Sequence, residues 1–299
     1  MKLFGRSKKS KKAPKPDQPT AAAVNNAKQA TPSPALPARP GLAIGRATDT
    51  GRVRAHNEDS SLTFQSVQDG HEPHLPFGLF IMADGMGGHQ AGEVASSLAT
   101  RVIANTIIRD VYLPYLMNGS SFAEQTPLLE ALRGAVEAAN VAVHAQVPGS
   151  GTTLTCALVI GARVFLAHVG DSRAYLYNQS QLIQITHDHS YVDKLVEMGQ
   201  LTVEAAAVHP QRNVLYRAVG QGDQLEIDIL SIDMPFGSRL LLCCDGLWSM
   251  LTDTRMIDIL ATAPTPQAAC DQLVLAANEA GGKDNITAVI VEAPPVNVL

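Results

Sequence analysis

The sequence lacks the marks of several common protein classes. No apolar run reaches 18 residues anywhere in the 299, so no transmembrane helix is expected. The N-terminus is basic but has no apolar core segment, so no secretory signal is expected. Cysteine is scarce: Cys156, Cys243, Cys244 and Cys270 show no CxxC spacing and no pairing with His. That excludes a disulfide frame and a zinc site, and suggests reduced core residues of a cytoplasmic protein. There is no GxGxxG and no GxxxxGK[ST], which argues against dinucleotide and P-loop nucleotide sites.

What is present is uneven. Residues 1–40 hold nine Lys/Arg and one acid, a charge of +8, which leaves 14 basic and 27 acidic residues, or -13, for the rest. The segment is rich in Lys, Pro, Ala and Gln, and "TPSPALPARP" cannot continue a helix or a sheet interior. It reads as a disordered tail. Two roles stay open for it: a solvated tail, or an electrostatic anchor through "KKSKK" to acidic lipid or to a partner.

From residue 43 to 294 the pattern is that of one folded domain. "GLFIMAD" (78–84) is a short apolar run with a Gly-rich exit, as in a strand buried on both faces. Helical spacing follows over 92–108, with Val94, Leu98 and Val102 beside Ala99, Ile103 and Ile107, and again over 125–146. "TTLTCALVI", "RVFLAHV", "RAYLY" and "LIQIT" predict four strands in antiparallel meanders. Residues 189–222 are polar and mixed, as in a flap over the main body. Two strands, helices near 253–261 and 266–279, and a last strand "NITAVIVEA" complete the chain. The order predicts an α+β fold, a four-layer α/β/β/α sandwich.

Four acids fall at strand boundaries: Asp84, Asp171, Asp245 and Asp284. Each alone reads as a turn residue. A charge beside a buried strand end is costly unless paired or bound to a cation. If the four ends meet, they form an acidic cup. Oxygen ligands suit Mg²⁺ or Mn²⁺. Two such ions about 3.5–4 Å apart share a water, lower its pKa and clamp phosphate oxygens. Gly85, with no Cβ, lets its carbonyl approach a metal. "GRVRAHNEDS" sets Arg54 four residues before Glu58 and five before Asp59. It reads either as a bidentate phosphate grip or as a local Arg–acid pair.

Eight stretches in order resemble the metal-dependent protein phosphatase family, the protein phosphatase 2C type in its bacterial branch. They are "GRVRAHNEDS", "ADGMGGHQAGEVAS", "GTTLTCALV", "VGDSRAYLY", "THDHS", "NVLYRAVG", "LLLCCDGLW" and "GGKDNIT", spanning about residues 44–292. The resemblance implies two stacked, mostly antiparallel sheets flanked by helix pairs. It implies hydrolysis of phosphoserine and phosphothreonine in proteins by a metal-bridging hydroxide, reversing the work of a Ser/Thr kinase. It gives Asp84 as the carboxylate bridging both metals, the Gly85 carbonyl as a ligand of one, and Asp245 and Asp284 as ligands of the other. Glu58 and Asp59 become acids that hold metal-bound waters, and Arg54 the phosphate-binding arginine. Asp171 joins a third-metal site shared with Asp245, with Asp188 as a further neighbour.

Two departures stand out. Met86 replaces a His that serves as suspected general acid in eukaryotic members. His89 and His56 are the nearby alternatives, behind metal-bound water. Ser249 replaces an acid after the Trp, which suggests weaker third-metal binding. No Cys-x5-Arg loop is present, so cysteine-based phosphatase chemistry is not expected. A monomer without nucleic-acid partners is expected. A phosphopeptide-binding pseudoenzyme and a hydrolase of small phosphorylated metabolites are the rival readings.

Overall fold

The computed structural model describes residues 41–68, 75–87, 90–118 and 127–293. The basic tail, residues 1–40, and His89 lie outside the described residues. The strands are β1 (Ala43–Asp49), β2 (Asp59–Ser66), β3 (Phe77–Met86), β4 (Gly151–Thr152), β5 (Leu154–Ile160), β6 (Arg163–Val169), β7 (Arg173–Asn178), β8 (Gln181–Gln184), β9 (Asp228–Asp233), β10 (Arg239–Cys243) and β11 (Ile286–Glu292). They build a sheet in the order β1-β11-β10-β7-β8 and a second in the order β2-β3-β5-β6-β9, with β4 on the end of β3. The pairings are antiparallel.

The helices are α1 (Gln90–Ile107), α2 (Leu113–Asn118), α3 (Leu128–Gln146), α4 (Tyr191–Glu197), α5 (Val203–Ala207), α6 (Asp245–Trp248), α7 (Asp253–Thr262) and α8 (Pro266–Glu279). A π-helical turn, Ile108–Tyr112, joins α1 to α2. Helices α1 and α3 cover the second sheet, and α7 and α8 cover the first. The four-layer expectation is met.

Burial on both faces explains the unbroken apolar runs. In β3, Phe77, Leu79 and Ile81 pack under α1 and α3, while Phe80 and Met82 pack against the other sheet. From the first sheet, Leu240, Leu242, Val289 and Val291 meet them. Each such side chain contributes about 1.5–3 kcal/mol by leaving water. Hydroxyl caps start the later helices: Thr252 accepts from the Arg255 N–H and Thr265 from the Ala268 N–H.

The structure corrects several expectations. The four strands from 154 to 184 pair antiparallel as expected, but as two hairpins in different sheets. β5 and β6 lie in one sheet and β7 and β8 in the other, so the chain crosses between sheets at Gly170–Ser172. The buried stripe of α1 is Ala95, Leu98, Ala99, Ile103 and Ile107, and Val94 is exposed. Strands β1 and β2 have no apolar run to announce them, because each is an edge strand. The segment 189–222 carries α4 and α5. Its start is held by the His189 N–H donating to the Gly170 carbonyl at 2.7 Å. Its end is held by a bridge between Thr152 and Val219.

Candidate metal and phosphate site

The sandwich brings Arg54, Glu58, Asp84, Gly85, Asp171, Asp245 and Asp284 to the lining of one cleft. Asp59 lies beside them in the β2–β3 ladder, as the direct partner of Asp84. Strand β3 continues past Asp84 because Gly85 and Met86 pair with β4. A Cβ on Gly85 would lie 2.2 Å from the Gly92 carbonyl oxygen, and one on Gly92 would lie 2.0 Å from Glu58 Oε2. At Gly85 the clash is with backbone, so glycine is required there for strand and helix to meet, a tighter constraint than carbonyl access alone.

Asp245 opens α6 directly after β10, and Asp284 precedes β11. Asn285 ties this edge together. Its Nδ2 donates to the Thr50 and His56 carbonyls at 2.9 and 2.8 Å, and its Oδ1 accepts from the Glu58 N–H at 2.8 Å. Sequence reasoning missed Asn285, although an amide at a buried strand start is a signal that backbone groups need partners. His56 is exposed and joins this edge through its carbonyl.

Arg54 does not pair with Glu58 or Asp59. Its Nη2 donates to Asp284 Oδ2 at 2.6 Å, with the arginine side chain 53% exposed. Asp171 sits in the crossover, where its carbonyl accepts from Trp248 Nε1 at 3.0 Å. The Arg173 guanidinium lies 3.5 Å over the Trp248 ring and grips Asp188 at 2.7–3.0 Å. Asp188 is thus engaged with Arg173 and does not line the cleft.

Burial and mutual repulsion strain these carboxylates. Desolvation, then the charges of Asp59 and Asp245, push Asp84 well above the usual carboxylate range. Asp171 is raised likewise by burial and then by Asp245. Burial lifts Asp245 to about 6 and Asp59 to about 7. Asp59 Oδ2 accepts from Thr287 Oγ1 at 2.5 Å, while buried Oδ1 has no hydrogen-bond partner. A crowd of desolvated acids with an orphaned oxygen fits a bound hard cation. Cys244 Sγ lies within 4.8 Å of oxygens of both Asp59 and Asp84. Its thiol is already used: it donates to the Asn285 carbonyl at 3.2 Å and accepts from the Thr287 N–H at 3.1 Å.

Residues 55–277 match the family model described as Protein phosphatase 2C. The chain belongs to the protein phosphatase 2C family. Among its relatives, this family member is 37% identical over 257 residues to "Serine/threonine phosphatase stp" of Listeria monocytogenes, covering 82% of this chain and 93% of that one. The crystal structure of the Mycobacterium tuberculosis serine/threonine phosphatase PstP/Ppp superposes with a TM-score of 0.70 at 35% identity, over 85% of this chain and 99% of that one. A structure of the PstP catalytic domain in complex with 2 manganese ions superposes with a TM-score of 0.67 at 34% identity, over 84% and 97% of the two chains. A family member with this donor set is suited to the same class of ion.

Proposed function

We propose that this protein-serine/threonine phosphatase uses the acidic cleft to hydrolyse phosphoserine and phosphothreonine in proteins, opposing a Ser/Thr kinase in the cytoplasm. The observation that carries the reading is the convergence of five desolvated or strand-end aspartates on one edge, with Arg54 alongside. Asp84, the Gly85 carbonyl, Asp245 and Asp284 would hold two Mn²⁺ or Mg²⁺ ions, and Glu58 and Asp59 would hold their waters. Asp171 with Asp245 would take a third ion, weakened by Ser249. Ions held there would supply the activation of a bridging hydroxide for direct attack on phosphorus and would offset the phosphate charge.

The chain's own residues do the rest. Arg54 is exposed enough to leave Asp284 for a substrate dianion, which its fork grips at two oxygens. It then stabilises charge spread over the equatorial oxygens. Met86 lines the cleft and cannot donate a proton, so water is the proposed donor to the leaving alkoxide. Asn213 and Leu215 of the 189–222 segment also line the cleft, which supports that segment as a flap that meets the substrate protein. The four cysteines are buried and free, in keeping with a reducing compartment. The catalytic domain is proposed to span 43–294 and to act as a monomer. The basic tail is proposed to bring it to an acidic surface.

The test is phosphate release from phosphothreonine and phosphotyrosine peptides in Mn²⁺, with and without chelator. Chelator-sensitive release from phosphothreonine peptide is expected, above that from phosphotyrosine peptide or a nucleotide monophosphate. No release from any phosphopeptide would sink the reading.

A further inference from the structure

Between the two halves of the acidic cluster stands an uncharged side chain, Thr153. It is buried, lines the cleft and follows directly after β4. Its hydroxyl oxygen accepts from the Asp84 N–H at 2.9 Å and shares a hydrogen bond with the Ser172 hydroxyl at 2.8 Å. Its own N–H donates to the Asp84 carbonyl at 2.8 Å. One side chain therefore binds the backbone of Asp84 and the residue after Asp171.

The methyl branch has a separate task. Gly170 precedes Asp171 with φ +106, and a Cβ there would lie 2.7 Å from both Thr153 Cβ and Cγ2. The crossover thus packs directly on the methyl face of Thr153 while its hydroxyl holds Ser172. Asp84 and Asp171 come from different structural segments, the end of β3 and a link between sheets. Among the described residues, Thr153 is the side chain that hydrogen-bonds to both segments.

We propose that Thr153 is a positioning residue that locks Asp84 to the Gly170–Ser172 crossover and so sets the spacing of the carboxylates that would receive the ions. This rests on the reading of Asp84 as a metal carboxylate. The hydroxyl joins the two segments, and the methyl packs only on the crossover. Valine keeps the shape and loses the hydroxyl; serine keeps the hydroxyl and loses the methyl. Its hydroxyl is engaged by the Asp84 N–H and Ser172, so its loss is expected to act on ion binding and turnover more than on recognition of the peptide.

The experiment is Mn²⁺ titration calorimetry on the full chain, alongside kcat and KM for a phosphothreonine peptide at saturating Mn²⁺. Thr153→Val is expected to weaken Mn²⁺ binding about 10–100-fold, as loss of a group orienting a ligand does, with kcat lowered and KM little changed. Thr153→Ser is expected to recover most of the Mn²⁺ affinity. Wild-type Mn²⁺ affinity in Thr153→Val, or equal defects in the serine and valine variants, overturns the proposal. If Thr153→Val does not fold, Ser172→Ala decides: weakened Mn²⁺ binding supports the lock and unchanged binding overturns it. Failure of the wild-type chain to bind Mn²⁺ is a different result, and overturns the metal reading together with this one.

Discussion

Asp59 and Asp84 are direct partners across the β2–β3 ladder, so two carboxylates face one another where strand pairing ordinarily avoids like charges. Without a cation between them this arrangement opposes folding. With one, it becomes a binding site. Asp84→Ala is expected to lower kcat in Mn²⁺ roughly 10²–10³-fold, the range for removing a preorganised electrostatic group. In chelator, Asp84→Asn is expected to be more stable than wild type by about 0.5–2 kcal/mol, measured by urea unfolding. Near-normal turnover of the alanine variant would remove Asp84 from the site.

Arg54 and Asp284 are 230 residues apart in sequence and 2.6 Å apart in space. Lysine cannot reproduce a planar, two-pronged grip. Arg54→Lys is expected to lower kcat/KM about 10–100-fold, corresponding to a charge-assisted hydrogen bond of about 1.5–3 kcal/mol. Mn²⁺ affinity, read by calorimetry, should change far less. A lysine variant with wild-type kcat/KM would show that Arg54 only decorates Asp284.

Asp188 is held by Arg173, and its side chain is 2% exposed. Removing one member of a buried ion pair strands the other. Asp188→Ala is therefore expected to destabilise the fold by about 3–5 kcal/mol, seen as an earlier urea midpoint. Mn²⁺ affinity of the folded variant should stay close to wild type. A large affinity loss at unchanged stability would return Asp188 to the metal site.

His168 gives a pH signature away from the cleft. Its Nδ1 meets Thr155 Oγ1 at 3.0 Å, and its Nε2 faces the Gly170 and His187 carbonyls at 3.1 and 3.0 Å. Burial, then the neighbouring His189, lowers its pKa from 6.5 to about 3. The unfolded chain takes up a proton near pH 6.5, and the folded one does not until about pH 3. This group's contribution is complete above pH 6.5 and is lost as pH falls toward 3. Its share is at most about 1.4 kcal/mol per pH unit. His168→Gln should flatten the fall of urea-unfolding stability between those limits. Identical slopes in both proteins would show that His168 titrates normally.

Much of the site was legible because acids at the ends of apolar runs are a local pattern. Asp84, Asp171, Asp245 and Asp284 each stand at such a boundary, and all four reach the cleft. The helices expected near 253–261 and 266–279 were legible too, and the structure has them at Asp253–Thr262 and Pro266–Glu279. Edge strands β1 and β2 were not, since one exposed side leaves no apolar run to read. The face of α1 was misread by one position at Val94, because small alanines carry the packing there.

By itself, then, the sequence determined which residue types are available for chemistry and which runs must be buried, since both follow from composition and short-range spacing. Only the tertiary structure decided partners: Arg54 with Asp284, Asp59 with Asp84, Asp188 with Arg173, and Thr153 between two aspartate segments. The physical reason is range. A hydrogen bond or ion pair acts over about 3 Å. Which residues come that close is set by how two sheets stack and where the chain crosses between them, and no local pattern encodes that distance.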